Sequence, residues 1–333
     1  MSGVDAEVRM MLKACHQYYR RGLTHTEIAT NLGITRFAVA RLLRTATEDG
    51  FVTVKILEPE SLHLDLEDAI EALYGTRAAI VVDSAELKGE EAKQSVADAA
   101  GRYLTQVVAD GDVLGVSLGS TIQALIDQLP GRIPKQAEVV QLVGGHSTIL
   151  CAQLAERFKT RPHLLHAPAV VGEKAVRDLL LADQEIQATA QMFDQVSIAV
   201  LGIGALTGED TSRLLSGGLI DARLRRNLLS RGAVGDVLSY VFDGEGHVLQ
   251  SGLEDRLMAI PLDQYLKIPH RIGVAAGIVK AAAISAALRG GFINVIVIDS
   301  LTAEAILERS EADETPAWGH TFEVHAKTPI AAE

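Results

Sequence analysis

Apolar positions in the first fifty residues recur at helical spacing, and beyond them they gather into short continuous runs separated by amphipathic stretches. Residues 7–21 place Val8, Met11, Leu12, Cys15 and Tyr19 on one helical face. In GLTHTEIATNLGITRFAVARLLRTATEDG, residues 22–50, Thr26 is positioned to cap a short helix carrying Ile28, Ala29 and Leu32, and Gly33 supplies the left-handed residue that ends it. Ile34 turns back inward, and Thr35 caps a second helix whose buried face is Val39, Leu42, Leu43 and Ala46. Arg36, Phe37, Ala40, Arg41 and Arg44 fall on its outer face. GFVTVKILEP, residues 50–59, alternates as a wing strand would. The pattern fits a winged helix-turn-helix whose second helix reaches base edges with its N-terminal residues and phosphates with its later arginines. An ordinary αα-hairpin with a polar outer face has the same periodicity.

The polar, Pro59-containing stretch LEPESLHLDLED, residues 57–68, leads into an amphipathic helix through Leu62, Leu66, Ile70 and Leu73. The chain therefore divides into a head over 1–57, a linker and connecting helix over 58–76, a body over 77–308 and a tail over 309–333. Continuous apolar strands are expected at 78–83, 113–117, 138–143, 163–168, 196–202, 272–276 and 294–299, with helices between them. Such strands form a doubly wound, mostly parallel sheet covered on both faces, the α/β class. VGDVLSYVFDGEGHVLQ, residues 234–250, reads as a hairpin turning at Asp243-Gly244-Glu245-Gly246. From Glu308 onward the charged composition suggests a mobile, solvated tail, although Trp318 and the alternating residues 320–326 leave a terminal strand open.

The 333 residues carry 31 basic and 43 acidic side chains, a net charge of −12, which excludes a protein that coats nucleic acid nonspecifically. Residues 1–60 hold eight Lys/Arg against seven Asp/Glu, so a near-neutral head needs a dimer or tetramer to gather enough phosphate contacts. Cys15, on a buried helical face, and Cys151 give no disulfide framework. With no apolar run of about 18 residues and no signal peptide at the N-terminus, the expectation is a cytoplasmic protein with no membrane partner.

In a doubly wound sheet, small molecules bind beyond the carboxyl ends of strands. The run ending in Ser117 is followed by Gly119, Ser120 and Thr121 and then a helix, so backbone amides and two hydroxyls can cradle an anion. Ser120 could equally just cap its helix. Gly144-Gly145-His146-Ser147 and Ile203-Gly204 repeat the strand-to-glycine pattern. Lys280 sits in the first turns of a helix opening near Gly277, where it could reach a phosphate or carboxylate or remain a surface lysine. His146, His163, His166, His320 and His325 lack metal-ligand spacing, and no nucleophile signature appears. Neither metal nor cofactor is expected.

Together GVSLGST (115–121), QLVGG (141–145), LHAPAVV (165–171), VLGIG (200–204), RGAVGDVLSYVFD (231–243) and the run 274–307 from VAAGIVK to EAIL resemble the SorC/DeoR-type sugar-responsive bacterial transcriptional regulators, over about residues 7–308. The resemblance implies a winged helix-turn-helix and an effector domain of the glucosamine-6-phosphate deaminase and ribose-5-phosphate isomerase fold. It implies a non-enzymatic tetramer that binds double-stranded operator DNA of a carbohydrate or polyol operon under control of a sugar phosphate, sugar or polyol. Carried over by motif, Ser117, Gly119, Ser120 and Thr121 would hold the effector's anionic end, Gly144-Gly145 would border it, and Asp243, Gly277 and Lys280 would approach its hydroxyls or phosphate. Two departures stand out. Ala275-Ala276-Gly277 replaces the family's Ala-Gly-Gly, and Val143 stands where some relatives carry a basic residue before Gly-Gly, which removes a candidate Schiff-base lysine and favours a monophosphate or an uncharged polyol. The alternative is a sugar-phosphate isomerase- or deaminase-like enzyme with an appended DNA-binding head, but no Asp/Glu–His grouping in the glycine turns supplies its general base.

Overall fold

A computed structural model describes residues 3–52, 62–87, 89–206, 212, 214 and 218–314. The chain forms two compact units, residues 1–59 and 60–333.

In the first unit, α1 (Gly3–Cys15) continues into a wider π-type turn over His16–Arg20, followed by α2 (His25–Leu32) and α3 (Arg36–Glu48). Their core is Met11, Ala14, Cys15, Ile28, Ala29, Val39, Leu43 and Ala46. Gly33 adopts φ +69° and closes α2, so a short turn separates the two helices. Thr24, not Thr26, caps α2. Glu27 lies three residues after Thr24, which permits a reciprocal box: the Thr24 amide donates to Glu27 Oε2 at 2.8 Å and the Glu27 amide to Thr24 Oγ1 at 3.3 Å. The Thr24 amide first, then the Thr24 hydroxyl, both donating to the carboxylate, hold the Glu27 carboxyl below its ordinary range. Thr26 sits within the helix, its carbonyl accepting from the Thr30 hydroxyl. Leu12 and Tyr19, expected inside, are exposed, because the buried stripe of α1 runs through Ala14 and the π-turn rotates Tyr19 outward. The expected wing strand, residues 50–59, lies largely outside the described residues; Val52 packs on the helical core.

The second unit is α/β. Seven parallel strands lie in the order β1-β10-β9-β5-β2-β3-β4. They are β1 (Ala78–Val82), β2 (Val113–Val116), β3 (Glu138–Gln141), β4 (Pro162–His163), β5 (Ile198–Gly202), β9 (His270–Val274) and β10 (Val295–Asp299). Two hydrophobic clusters, one on each face, bury them. The sheet winds outward from β2 through β3 to β4, then returns to β5 on the other side of β2 and proceeds towards β1. Its switch point is the pair β2/β5, and the parallel βα units place helix N-termini along the carboxyl edge. The helix α4 (Leu64–Tyr74), within the second unit, covers the edge of β1, whose Ala79 and Val81 amides donate to Glu71 and Glu67 at 2.9 and 2.8 Å. Those carboxylates satisfy donors that would otherwise form an open sheet edge.

Three expectations change. The apolar run 163–168 is not a strand beyond His163: from Leu164 the chain is irregular, held by Gln141 and Thr189, whose side chains bond the Leu165 amide and the Leu164 carbonyl. A small antiparallel sheet, β6 (Gly204–Ala205), β7 (Ala233–Val237) and β8 (Tyr240–Asp243), contains the expected hairpin, but β7 and β8 turn at Leu238-Ser239, both at positive φ, rather than at Asp243–Gly246. The Asp243–Gly246 turn instead brings Val248 back against Phe242. The last helix, Ser300–Glu314, runs through the acidic segment expected to be solvated tail, with Ser310 buried. Trp318 and residues 320–326 lie outside the described residues. Among the described residues no helix is long and apolar enough to cross a membrane.

Candidate functional site

Beyond the carboxyl end of β2 lies a cavity of about 610 Å³, lined by the first turns of three helices. The helix α5 (Glu90–Val107) contributes Glu90, Lys93 and Gln94; α6 (Ser120–Gln128) contributes Gly119 before it, then Ser120, Gln123, Ala124 and Asp127; α7 (Ser147–Phe158) contributes Gly145 and His146 before it, then Ile149 and Leu150. None of the three is capped by a side-chain hydrogen bond. In α7 the Thr148 amide donates to the Gly145 carbonyl at 3.2 Å; the three helices nonetheless bring the positive ends of their dipoles near one space, an arrangement suited to an anion or to a hydroxyl-rich ligand. Leu118, Ile149, Leu150, Pro168, Ala169 and Leu219 give the remaining wall an apolar character.

The glycines have separate tasks. Gly119, at φ +149°, is the N-cap of α6, so Ser120 is its first helical residue, exposed and on the cavity wall. Gly145, at φ +79°, lines the cavity. Gly144 is buried against the next segment: a Cβ there would lie 2.5 Å from the Ala167 carbonyl oxygen and 2.6 Å from that of Pro168. Its bareness is what lets Pro168 and Ala169 reach the cavity. Behind them Gln141 is fully buried and bonded at both ends, its Nε2 donating to the Val143 carbonyl and Ser147 Oγ, and its Oε1 accepting from the Leu165 amide at 2.9 Å.

Charge on the wall is mixed. Lys93 pairs with Glu90 at 2.5 Å, and the Gln94 amide donates to the same carboxylate at 3.0 Å. The Lys93 bond chiefly, then the Gln94 bond, hold the Glu90 carboxyl below its ordinary range. Gln123 donates to Asp127 at 2.9 Å and to Gln153 at 3.0 Å, which fixes its amide. His146 stands exposed at the rim.

Of the residues singled out from the sequence, Gly119, Ser120 and Gly145 line the cavity. Ser117 is buried and stitches the switch point, its Oγ accepting from the Gly202 amide at 3.3 Å. Thr121 is buried beside Ser120 and does not reach the wall. Asp243 is elsewhere; its Oδ1 accepts from the Glu245 and His247 amides and so closes its own turn. Gly277 donates its amide to Asp299 at 2.8 Å, and Lys280, buried, ends a one-turn segment packed on β6 and the last helix; neither lines the cavity. Glu90, Lys93, Gln94, Gln123 and Asp127 were missed from the sequence. Gln123 and Asp127 follow Ser120 at i+3 and i+7, a signal that was available, whereas the approach of α5 was not.

Asp236 was also missed. It is buried on β7, accepts from Ser212 Oγ, and faces Gly204, where a Cβ would overlap its carboxylate. Burial, only partly offset by the Ser212 hydroxyl and the Ser239 amide, pushes its carboxyl up to about 6. Among the described residues no group of three His, Cys, Asp or Glu side chains is placed to hold a metal ion.

On the first unit, Arg36, Phe37, Ala40, Arg41 and Arg44 are all exposed along α3, and Thr35 caps it by accepting from the Ala38 amide at 3.2 Å. The Arg36 guanidinium lies 4.8 Å from the centre of the Phe37 ring. Arg44 sits 3.9 Å from Glu48, an exposed pair worth little.

Residues 59–308 match the Sugar-bind family model, a sugar-binding domain. The chain is 32% identical over 308 residues to the deoxyribonucleoside regulator of Bacillus subtilis, covering 90% of this chain and 97% of the relative. It is 27% identical over 312 residues to the sorbitol operon regulator of Klebsiella pneumoniae, covering 91% and 98%. The crystal structure of the latter, full-length SorC, superposes with a TM-score of 0.70 at 27% identity over 90% of this chain and 98% of that one. A DeoR family transcriptional regulator from Listeria monocytogenes superposes with a TM-score of 0.68 at 28% identity, over 73% and 98%.

Proposed function

The chain belongs to the sugar-binding-domain family of SorC/DeoR-type transcriptional regulators, and from that premise we propose that it binds operator DNA of a carbohydrate or polyol operon through α2 and α3 and releases or engages it on binding a small hydroxylated metabolite in the cavity beyond β2. The observation that carries this reading is the convergence of three uncapped helix N-termini on one cavity at the switch point of the sheet. The positive ends of the helix dipoles there match phosphate or hydroxyl oxygens, while the Glu90–Lys93 pair and Asp127 limit the net positive charge available, which suits a monophosphate or a neutral polyol better than a bisphosphate. We place Gly119, Ser120, Gln123 and Gly145 against the ligand, and Ser117, Thr121 and Gly144 as supports of that wall.

The mechanism is linkage. A ligand that binds one arrangement of the assembled bodies better than another shifts the spacing of paired heads against half-sites about one DNA turn or its multiples apart. A near-neutral head argues for a dimer or tetramer as the binding species. The test is a thermal-shift screen against sugars, polyols and their mono- and bisphosphates, followed by DNA binding by the purified chain with and without each hit. Hits that raise the melting temperature and change DNA affinity support the reading. Silence across the whole set, or hits with unchanged DNA affinity, would refute it.

A further inference from the structure

We infer that Phe37 reads the 5-methyl group of a thymine in the major groove while Arg36, lying over its ring, reads a guanine in the neighbouring base pair; the inference rests on the DNA-binding reading above and deepens it.

Phe37 is the second residue of α3 and is 73% exposed. The helical core is complete without it: neither the buried residues around Ile28 and Val39 nor the half-buried ones packed on them include its ring. A single exposed apolar side chain is ordinary on a protein surface, so the ring alone identifies nothing. The company it keeps identifies what meets this face. Arg41 and Arg44 follow at i+4 and i+7, on the same stripe of the helix. Ala40, at i+3, offers only a methyl group, which leaves room for a flat edge to approach the backbone. A cationic stripe with one apolar plate at its N-terminal end matches a polyanion whose groove floor carries isolated apolar points. In the major groove those points are the thymine methyl groups.

The contact with Arg36 sharpens this. The Arg36 guanidinium carbon lies over the phenyl ring, 4.8 Å from its centre and within cation–π reach. The parallel donors of a guanidinium match guanine O6 and N7, the bidentate pairing that Arg favours. Because the two side chains are consecutive and in contact, the two bases they meet belong to adjacent pairs.

The full-length chain is used to select bound duplexes from a random-sequence library, and each thymine of the selected site is then replaced singly by deoxyuridine, which removes only the methyl group. Affinity is measured by fluorescence anisotropy at fixed salt. The expected result is a loss of about four-fold at one thymine per half-site, the equivalent of one buried methyl group, next to a guanine whose replacement by inosine is neutral but by adenine is severe. Phe37→Ala, with folding checked by circular dichroism, should bind the thymine and deoxyuridine duplexes equally, and Phe37→Leu should keep part of the difference. Deoxyuridine that is neutral at every position, or a Phe37→Ala variant as sensitive to it as the parent, would overturn the inference while leaving DNA binding intact. If no duplex is selected at all, the DNA-binding reading falls and this inference with it.

Discussion

The side-chain oxygen of Gln141 accepts the Leu165 amide at 2.9 Å, tying the end of β3 to the irregular segment that carries Pro168 and Ala169 to the cavity. Gln141 is fully buried, and its amide nitrogen is spent on the Val143 carbonyl and Ser147.

Gln141→Leu keeps most of the volume but leaves the Leu165 amide without its partner, while the Val143 carbonyl still accepts from Ser147 Oγ. An unsatisfied buried group costs about 1–3 kcal/mol, so a loss of that size in unfolding free energy is expected in urea denaturation. A variant as stable as the parent would show that the segment finds other partners.

Gly144→Ala should be destabilising and should weaken ligand-induced stabilisation, because its Cβ meets two carbonyl oxygens that belong to rigid backbone. Overpacking of this kind costs roughly 1–3 kcal/mol. Gly172→Ala is the control: nothing lies within 4 Å of its Cβ, and its melting temperature should stay within error of the parent's.

Asp236 gives a pH signature. Its folded carboxyl sits near 6, above the ordinary value of 3.8, so folding favours the protonated form. Well below pH 3.8 both folded and unfolded states hold the proton and there is no penalty. As pH rises towards 6 the unfolded chain releases it first, and the native state loses stability, up to about 3 kcal/mol from this group. Asp236→Asn, which can still accept from Ser212 and Ser239, removes that dependence. The stability difference between variant and parent should therefore move in the variant's favour between pH 4 and pH 7 and be flat above; a difference independent of pH would show that Asp236 stays ionised.

Arg41→Ala should weaken DNA binding on all sequences alike and lower the slope of log affinity against log salt by about 1, as loss of one phosphate contact does. Arg36→Ala should instead relax sequence preference. Thermal stabilisation by any sugar or sugar phosphate that binds the parent should be unchanged in both, because no residue of α3 lines the cavity. Loss of ligand binding in either would contradict separate DNA and effector sites.

The chain by itself determined those features that repeat locally. Helical periodicity located α2 and α3 and their buried faces, because a 3.6-residue period is a property of neighbouring positions. Continuous apolar runs located the parallel strands, and the glycines after them located one wall of the cavity at Gly119, Ser120 and Gly145. Tertiary structure decided what depends on residues far apart in sequence. The hairpin turns at Leu238-Ser239, both at positive φ, where no glycine or asparagine announces it. The second and third walls of the cavity exist because the sheet order sets α5, α6 and α7 side by side with their N-termini on one edge. Asp243 and Lys280, plausible from their motifs, are drawn away from that cavity by their own contacts: an Asx turn for one and packing on β6 for the other. A motif fixes which atoms are available, but only the sheet order and the packing of helices upon it fix which of them share a space.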